Sequence, residues 1–135
     1  MILIDSNVWC YYFDESCEEH ESVVKSVERT MTKEDILVNT VIIIELSHFL
    51  IKNLGPINGK KKLDVFLGFP ATTVELDYEQ VKEAIDQLCE YSHAGIGGRD
   101  ATLLAAMKKM KTKRILTHDD TFKRIDWLEV IDPVE

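Results

Sequence analysis

The chain has 135 residues, 45% of them apolar and 30% charged, with a formal net charge of −8. That composition excludes a disordered chain, and the length suits one domain, residues 1–135, able to bury about two-thirds of its unfolded surface. The acidic balance excludes a bulk electrostatic grip on nucleic-acid phosphate, but not a local site in which a bound cation outweighs the net charge.

In chain order, MILI reads as a buried strand that delivers Asp5 at its carboxyl end. Ser6 and Asn7 suit a cap or turn, and VWCYYF fits either a strand or a first helical turn. In CEEHESVVKSVERTMT, Val23, Val24 and Val27 fall at helical spacing on a charged segment, so an amphipathic helix is expected. ILVNT, residues 36–40, is a second strand, and Thr40 is placed to cap the apolar helix VIIIELSHFLIKNL, which ends at Gly55-Pro56. After a turn over 55–59, KKKLDVFLGF forms a shorter helix stopped by Pro70, and ATTVEL is the third strand. Asp77 caps a helix with Val81, Ala84, Ile85 and Leu88 on one face, and the glycines of HAGIGG end it. RDATLLAAMKKMK is a further helix, RILT a fourth strand, HDDTFKRI a polar loop or helical turn, and WLEVIDP a last strand closed by Pro133. Strands alternating with helices predict a three-layer α/β/α domain with a mainly parallel central sheet.

Apolar runs such as VIIIEL are too short to span a bilayer, and Asp5 interrupts the N-terminus before a signal-peptide core can form. A cytoplasmic protein without membrane association is expected, and Cys10, Cys17 and Cys89, odd in number and without framework spacing, are expected as reduced thiols. Cys17 and His20 have a ligand-like gap, but no second pair completes a zinc site.

Ligands bind open α/β sheets beyond the carboxyl ends of the strands. Asp5 and Asp119 leave strands one and four there, and Asp100 opens the helix that follows a Gly-rich bend. Glu45 stands inside an apolar helix, where a carboxylate is costly unless paired or coordinated. Each acid has a bland explanation, as a cap, a turn former or a solvated side chain. Together, four acids at one end of a sheet call for a common cause. Hard oxygen donors without a His or Cys set suit Mg²⁺ or Mn²⁺ and the hydrolysis of phosphodiesters.

The stretches LIDSNVW, TVIIIELSHFL and GIGGRDATLLAAMKKMKTKRILTHDDTF resemble the PIN-domain family, and at this length its VapC-like toxin nucleases. The resemblance runs almost from end to end. It implies a metal-dependent endoribonuclease with Asp5, Glu45, Asp100 and Asp119 as acidic metal ligands, using Mg²⁺ or Mn²⁺. Ser6 or Asn7 and Thr117 match the polar residues that orient such ligands. RNA as substrate and a small antitoxin as partner are further implications, and Trp9, Tyr11, Tyr12, Phe13 and HFLIKNL exceed the apparent need of a small core, so a homodimer or an antitoxin-binding groove is expected. Asp120 and His118 are read as an exposed neighbour and a loop residue.

RNA processing outside a toxin system and a metal- or partner-binding module without turnover are the alternative readings. A haloacid-dehalogenase-type phosphatase needs a second Asp two residues after the first, and Asn7 stands there. The basic clusters, Lys60 to Lys62 and Lys108, Lys109, Lys111, Lys113 and Arg114, are either RNA contacts or solvated helix faces.

Overall fold

The computed structural model describes residues 1–134, which form five strands and five α-helices. They are β1 (Ile2–Ile4), α1 (Ser6–Phe13), α2 (His20–Lys33), β2 (Ile36–Asn39), α3 (Thr40–Leu67), β3 (Ala71–Val74), α4 (Tyr78–Glu90), α5 (Gly98–Lys109), β4 (Arg114–Leu116) and β5 (Glu129–Ile131). Short 3₁₀ turns at Ser92–Ala94 and Asp120–Arg124 precede α5 and β5. The sheet order is β3-β2-β1-β4-β5 and every pairing is parallel, as expected of a three-layer α/β/α fold.

β1 occupies the centre because all three of its residues are apolar and buried, as a strand covered on both faces requires. Leu3 pairs with Leu37 on one side and with Ile115 on the other. The chain moves outward from β1 through β2 to β3, then returns past β1 to lay down β4 and β5. The order therefore reverses between β1 and β4, which opens a crevice at their carboxyl ends.

VWCYYF is helical rather than extended. Asp5 is the N-cap of α1, its side chain accepting from Ser6 N, and Val8, Trp9 and Phe13 are buried at helical spacing. α3 is capped by Asn39, not by Thr40. Asn39 is still extended, with φ −117° and ψ 172°, and its Oδ1 accepts from Ile42 N at 2.9 Å. Thr40 is already in the first turn, and its hydroxyl instead accepts from Leu76 N at 3.1 Å, beyond the neighbouring β3.

The expected turn over 55–59 is a single residue. Gly55 alone leaves helical geometry, at φ 82° and ψ 168°, and Pro56 starts the next helical segment at once. Gly59 then lies within a helix and against the preceding segment. A Cβ on it would stand 2.7 Å from the Leu50 carbonyl oxygen and 2.8 Å from Ile51 Cα. By length and composition α3 is the one helix among the described residues that could cross a membrane, a property the separate apolar runs of the sequence did not show. The break at Gly55 interrupts that cylinder, and Ile42, Leu46, Leu50, Leu63 and Phe66 on either side of it are buried in the protein.

Trp9 is buried against Phe66, with ring centroids 4.9 Å apart, and Phe69 stacks on Phe13 at 6.3 Å. Trp9 and Phe13 are thus consumed by the core rather than left for a partner. The apolar groups that do face outward are on α3 and α4, including Ile44, Ile57 and Ile85. Because Gly59 lies so close to the first half of α3, Gly59→Ala should destabilise the protein by about 1–3 kcal/mol in urea unfolding. Parental stability in that variant would rule out the close approach.

Candidate functional site

Asp5 leaves β1 into the crevice with no solvent exposure. A buried carboxylate needs its oxygens satisfied. Oδ1 accepts from Ser6 N at 2.7 Å, and Oδ2 accepts from the Thr117 hydroxyl at 2.8 Å. Thr117 follows β4, so the pairing of β4 with β1 is what brings that hydroxyl to the acid. The Thr117 oxygen in turn accepts from Asn7 Nδ2 at 3.4 Å and from Asp119 N at 3.1 Å.

The remaining partner of Asp5 is a residue the sequence reading did not single out. Arg99, in the first turn of α5, donates from Nη2 to Asp5 Oδ1 and, at 2.7 Å, to the Ser6 hydroxyl. Its Nε lies 2.9 and 3.1 Å from the two oxygens of Glu45, and its Nη1 lies 3.1 Å from Asp100 Oδ1. Asp100 Oδ2 accepts from Gly97 N at 3.2 Å, which ties the acid to the start of its own helix. Three of the four expected acids, from β1, α3 and α5, therefore meet around one guanidinium. Ser6, Asn7 and Thr117 complete the surrounding network.

Asp119 is not among the carboxylates on Arg99. Its Oδ1 accepts from Thr121 N at 2.9 Å and caps the 3₁₀ turn, and its connection to Asp5 runs through the Thr117 hydroxyl. Asp120 is exposed and pairs with Lys123 at 2.9 Å. Its hydrogen bond and charge contact with Lys123 hold its carboxyl below the usual range. His118 is exposed but not idle: its Nδ1 lies 2.9 Å from the nearly buried carboxylate of Asp132, and its backbone N–H donates to Asn7 Oδ1 at 3.3 Å.

Among the described residues, no three His, Cys, Asp or Glu side chains form a group that could hold a metal ion as they stand; Asp5, Glu45 and Asp100 share the Arg99 guanidinium instead. The donor set nevertheless fits a hard divalent cation: only oxygens converge on the single positive charge, those of three carboxylates and of the Ser6 hydroxyl. Cys17 and His20 are turned to backbone carbonyls, those of Asp14 and Tyr11, and form no metal pair.

The electrostatics follow from this burial. Desolvation alone would lower the Arg99 pKa, but the charges and hydrogen bonds of Asp5 and Glu45 outweigh it and raise the pKa. Cys10, beside the acids, is pushed up to about 12, first by burial and then by Glu45 and Asp5, with Arg99 opposing. Outside this knot lies an open cleft of about 610 Å³, lined in part by Ser6, Asn7, Glu45, His48 and Lys52. Glu45, His48 and Lys52 are spaced three and four apart and so share one face of α3. That spacing was visible in the sequence and would have picked out His48 and Lys52. Arg99 had only its adjacency to Asp100 to recommend it. Much of the basic charge counted from the sequence is already paired: Lys62 with Glu15 at 3.8 Å, Lys108 with Glu83 at 3.2 Å, and Arg114 with Glu34 and Glu129 at 3.1 and 2.8 Å.

The chain matches the PIN domain over residues 2–128 and belongs to that family. Solved structures with the same fold include VapC20 of Mycobacterium tuberculosis, a sarcin-ricin loop cleaving toxin, at 15% identity and a TM-score of 0.78 over 91% of this chain and 93% of that one. VapBC2 from Rickettsia felis, bound to a promoter DNA fragment, shares 19% identity at a TM-score of 0.76, covering 97% and 98%. FitAcB from Neisseria gonorrhoeae shares 22% identity at a TM-score of 0.68, covering 98% of each chain. No curated protein matches.

The raised pKa of Cys10 keeps its thiol protonated well above neutral pH. In metal-free protein at pH 8, alkylation by iodoacetamide should be at least ~10-fold slower at Cys10 than at the exposed Cys89, read by mass spectrometry. Similar rates at the two sites would contradict the burial and acidic surroundings described.

Proposed function

We propose that this protein is a Mg²⁺- or Mn²⁺-dependent endoribonuclease that hydrolyses RNA phosphodiester bonds, and that it is the toxin of a toxin–antitoxin pair. The observation that carries the chemistry is the meeting of Asp5, Glu45 and Asp100 on one positive charge at the carboxyl edge of the sheet. Membership of the PIN domain family supports the nuclease reading. The toxin role is supported by solved relatives that are toxin–antitoxin complexes, including one from Klebsiella pneumoniae at 15% identity and a TM-score of 0.74.

The chemistry that a divalent ion would supply in such a site is acidification of a water and offset of charge on the phosphate. The chain's own residues do the rest. Asp5, Glu45 and Asp100 would hold the cation, and the hydrogen bonds from Ser6 N and Thr117 fix the orientation of the Asp5 carboxylate. Asp119, whose backbone N–H donates to the Thr117 hydroxyl, is the fourth acid of the reading. Lys52 and His48, exposed along the cleft wall, are placed to meet the RNA backbone, which supplies locally the attraction the net charge denies. The exposed Ile44, Ile51, Leu54 and Ile57 of α3 supply an apolar surface for an antitoxin or a second copy of the chain, in the cytoplasm. The phosphatase alternative loses ground: Asn7, where a second acid is needed, has its amide engaged by Thr117 and the His118 backbone.

With Mn²⁺ present, the purified protein should cleave RNA, and Asp5→Asn should lower the rate at least ~100-fold while circular dichroism shows the fold retained. Undiminished cleavage by that variant removes the proposed site. Lys52→Glu should weaken RNA binding and lower the salt-dependence slope by about 1, the signature of one lost phosphate contact.

A further inference from the structure

The oxygens of the three converging acids are all engaged. Asp5 Oδ1 takes Ser6 N and Arg99, and its Oδ2 takes Thr117. Both oxygens of Glu45 take Arg99 Nε. Asp100 Oδ1 takes Arg99 Nη1, and its Oδ2 takes Gly97 N. The one point at which Asp5, Glu45 and Asp100 are all reached together is the Arg99 guanidinium, so a cation that binds the three at once competes with it.

The position of Arg99 on its helix adds a second observation. It is the residue after Gly98, in the first turn of α5, so its positive charge stands at the positive end of the helix dipole. Within α5 only the neighbouring Asp100 favours a cation there; the other carboxylates come from the end of β1 and from α3. A Cβ on Gly97 or Gly98 would meet no atom within 4 Å, so the chain just before Arg99 is bordered by open space, and the side chain is already 28% exposed. Once the acids are neutralised from another source, the helix end repels the guanidinium and solvent is at hand to receive it.

We infer that Arg99 is a positioning residue that stands in for the metal, holding Asp5, Glu45 and Asp100 converged in the metal-free protein and giving up its place when a divalent cation binds. The inference rests on the metal-nuclease reading above and adds to it a coupling between metal uptake and release of this side chain. Three carboxylates facing one guanidinium leave the site short of positive charge, so a divalent ion is favoured over Arg99 on charge alone. The displaced ion pairs nonetheless count against the metal, and the apparent affinity of the unmodified protein is lower than its carboxylates would otherwise give.

Calorimetric titration with Mn²⁺ of the full chain and of Arg99→Gln tests this without any activity assay. The variant should bind Mn²⁺ at least ten-fold more tightly. Its metal-free melting temperature should fall below the parent's, because the carboxylates lose their counter-charge, and saturating Mn²⁺ should raise it by more than in the parent. Equal or weaker Mn²⁺ affinity in Arg99→Gln overturns the stand-in role while leaving the metal site intact. Uptake by neither protein overturns both. Should Arg99→Gln not fold without metal, the unsubstituted protein gives the answer: on adding Mg²⁺ the Arg99 Nε–H resonance should lose its ion-paired shift and its protection from exchange, and an unmoved resonance in protein that has taken up Mg²⁺ overturns the inference.

Discussion

A carboxylate without solvent exposure lies at the end of the central strand, and its charge has to be answered from within the protein. Moving an ion out of water costs several kcal/mol, roughly, even after relaxation, and only close hydrogen bonds and an opposite charge offset that. Asp5 obtains them from Ser6 N, the Thr117 hydroxyl and Arg99, contributed by α1, the end of β4 and the start of α5. The need to satisfy one acid thus ties together the elements that surround the crevice. The same guanidinium collects Glu45 and Asp100, so the site is organised as one charge network rather than as separate side chains.

That network depends on the order of the sheet. With β1 central and β4 laid down beside it after the excursion through β2 and β3, Thr117 emerges next to Asp5 although 112 residues separate them. α3 enters from β2, and its Asn39 cap sets the direction that carries Glu45 over the crevice. The break at Gly55 then folds the second half of the helix back, so that Phe66 and the following Phe69 can close over Trp9 of α1. One face of α1 and α3 is spent on this aromatic core, the other on the acidic cleft. The outward surface of α3 keeps its exposed isoleucines, leucines and valine.

The fold was largely legible in the residues. Short strand-like segments interleaved with 3.6-period segments allow little besides a parallel sheet layered with helices, and that is the architecture found. What misled was local. Thr40 and Asn39 are both good caps, and which one caps α3 depends on where β2 ends, which the pairing with Val74 decides. The segment from Gly55 to Gly59 contains turn residues throughout, yet Pro56 suits a first helical turn and Gly59 serves a helix contact that no local pattern announces. Trp9 and Phe13 looked surplus because their partners, Phe66 and Phe69, are more than fifty residues away.

For the site, the chain alone determined which acids follow strands or open helices, because strand ends and helix starts are local properties of capping and periodicity. It therefore singled out Asp5, Asp100 and Asp119, and Glu45 as a carboxylate inside an apolar helix, while Ser6 or Asn7 and Thr117 came from the resemblance of those stretches to a known family. Only the tertiary structure decided that three of these acids converge while Asp119 caps a turn, that His118 has a buried carboxylate for a partner, and that an arginine stands between the acids. The reason is physical. A long cationic side chain can reach several carboxylates only after the sheet order has brought them within a few ångströms of one another, and that distance is a property of the folded chain, not of any stretch of its sequence.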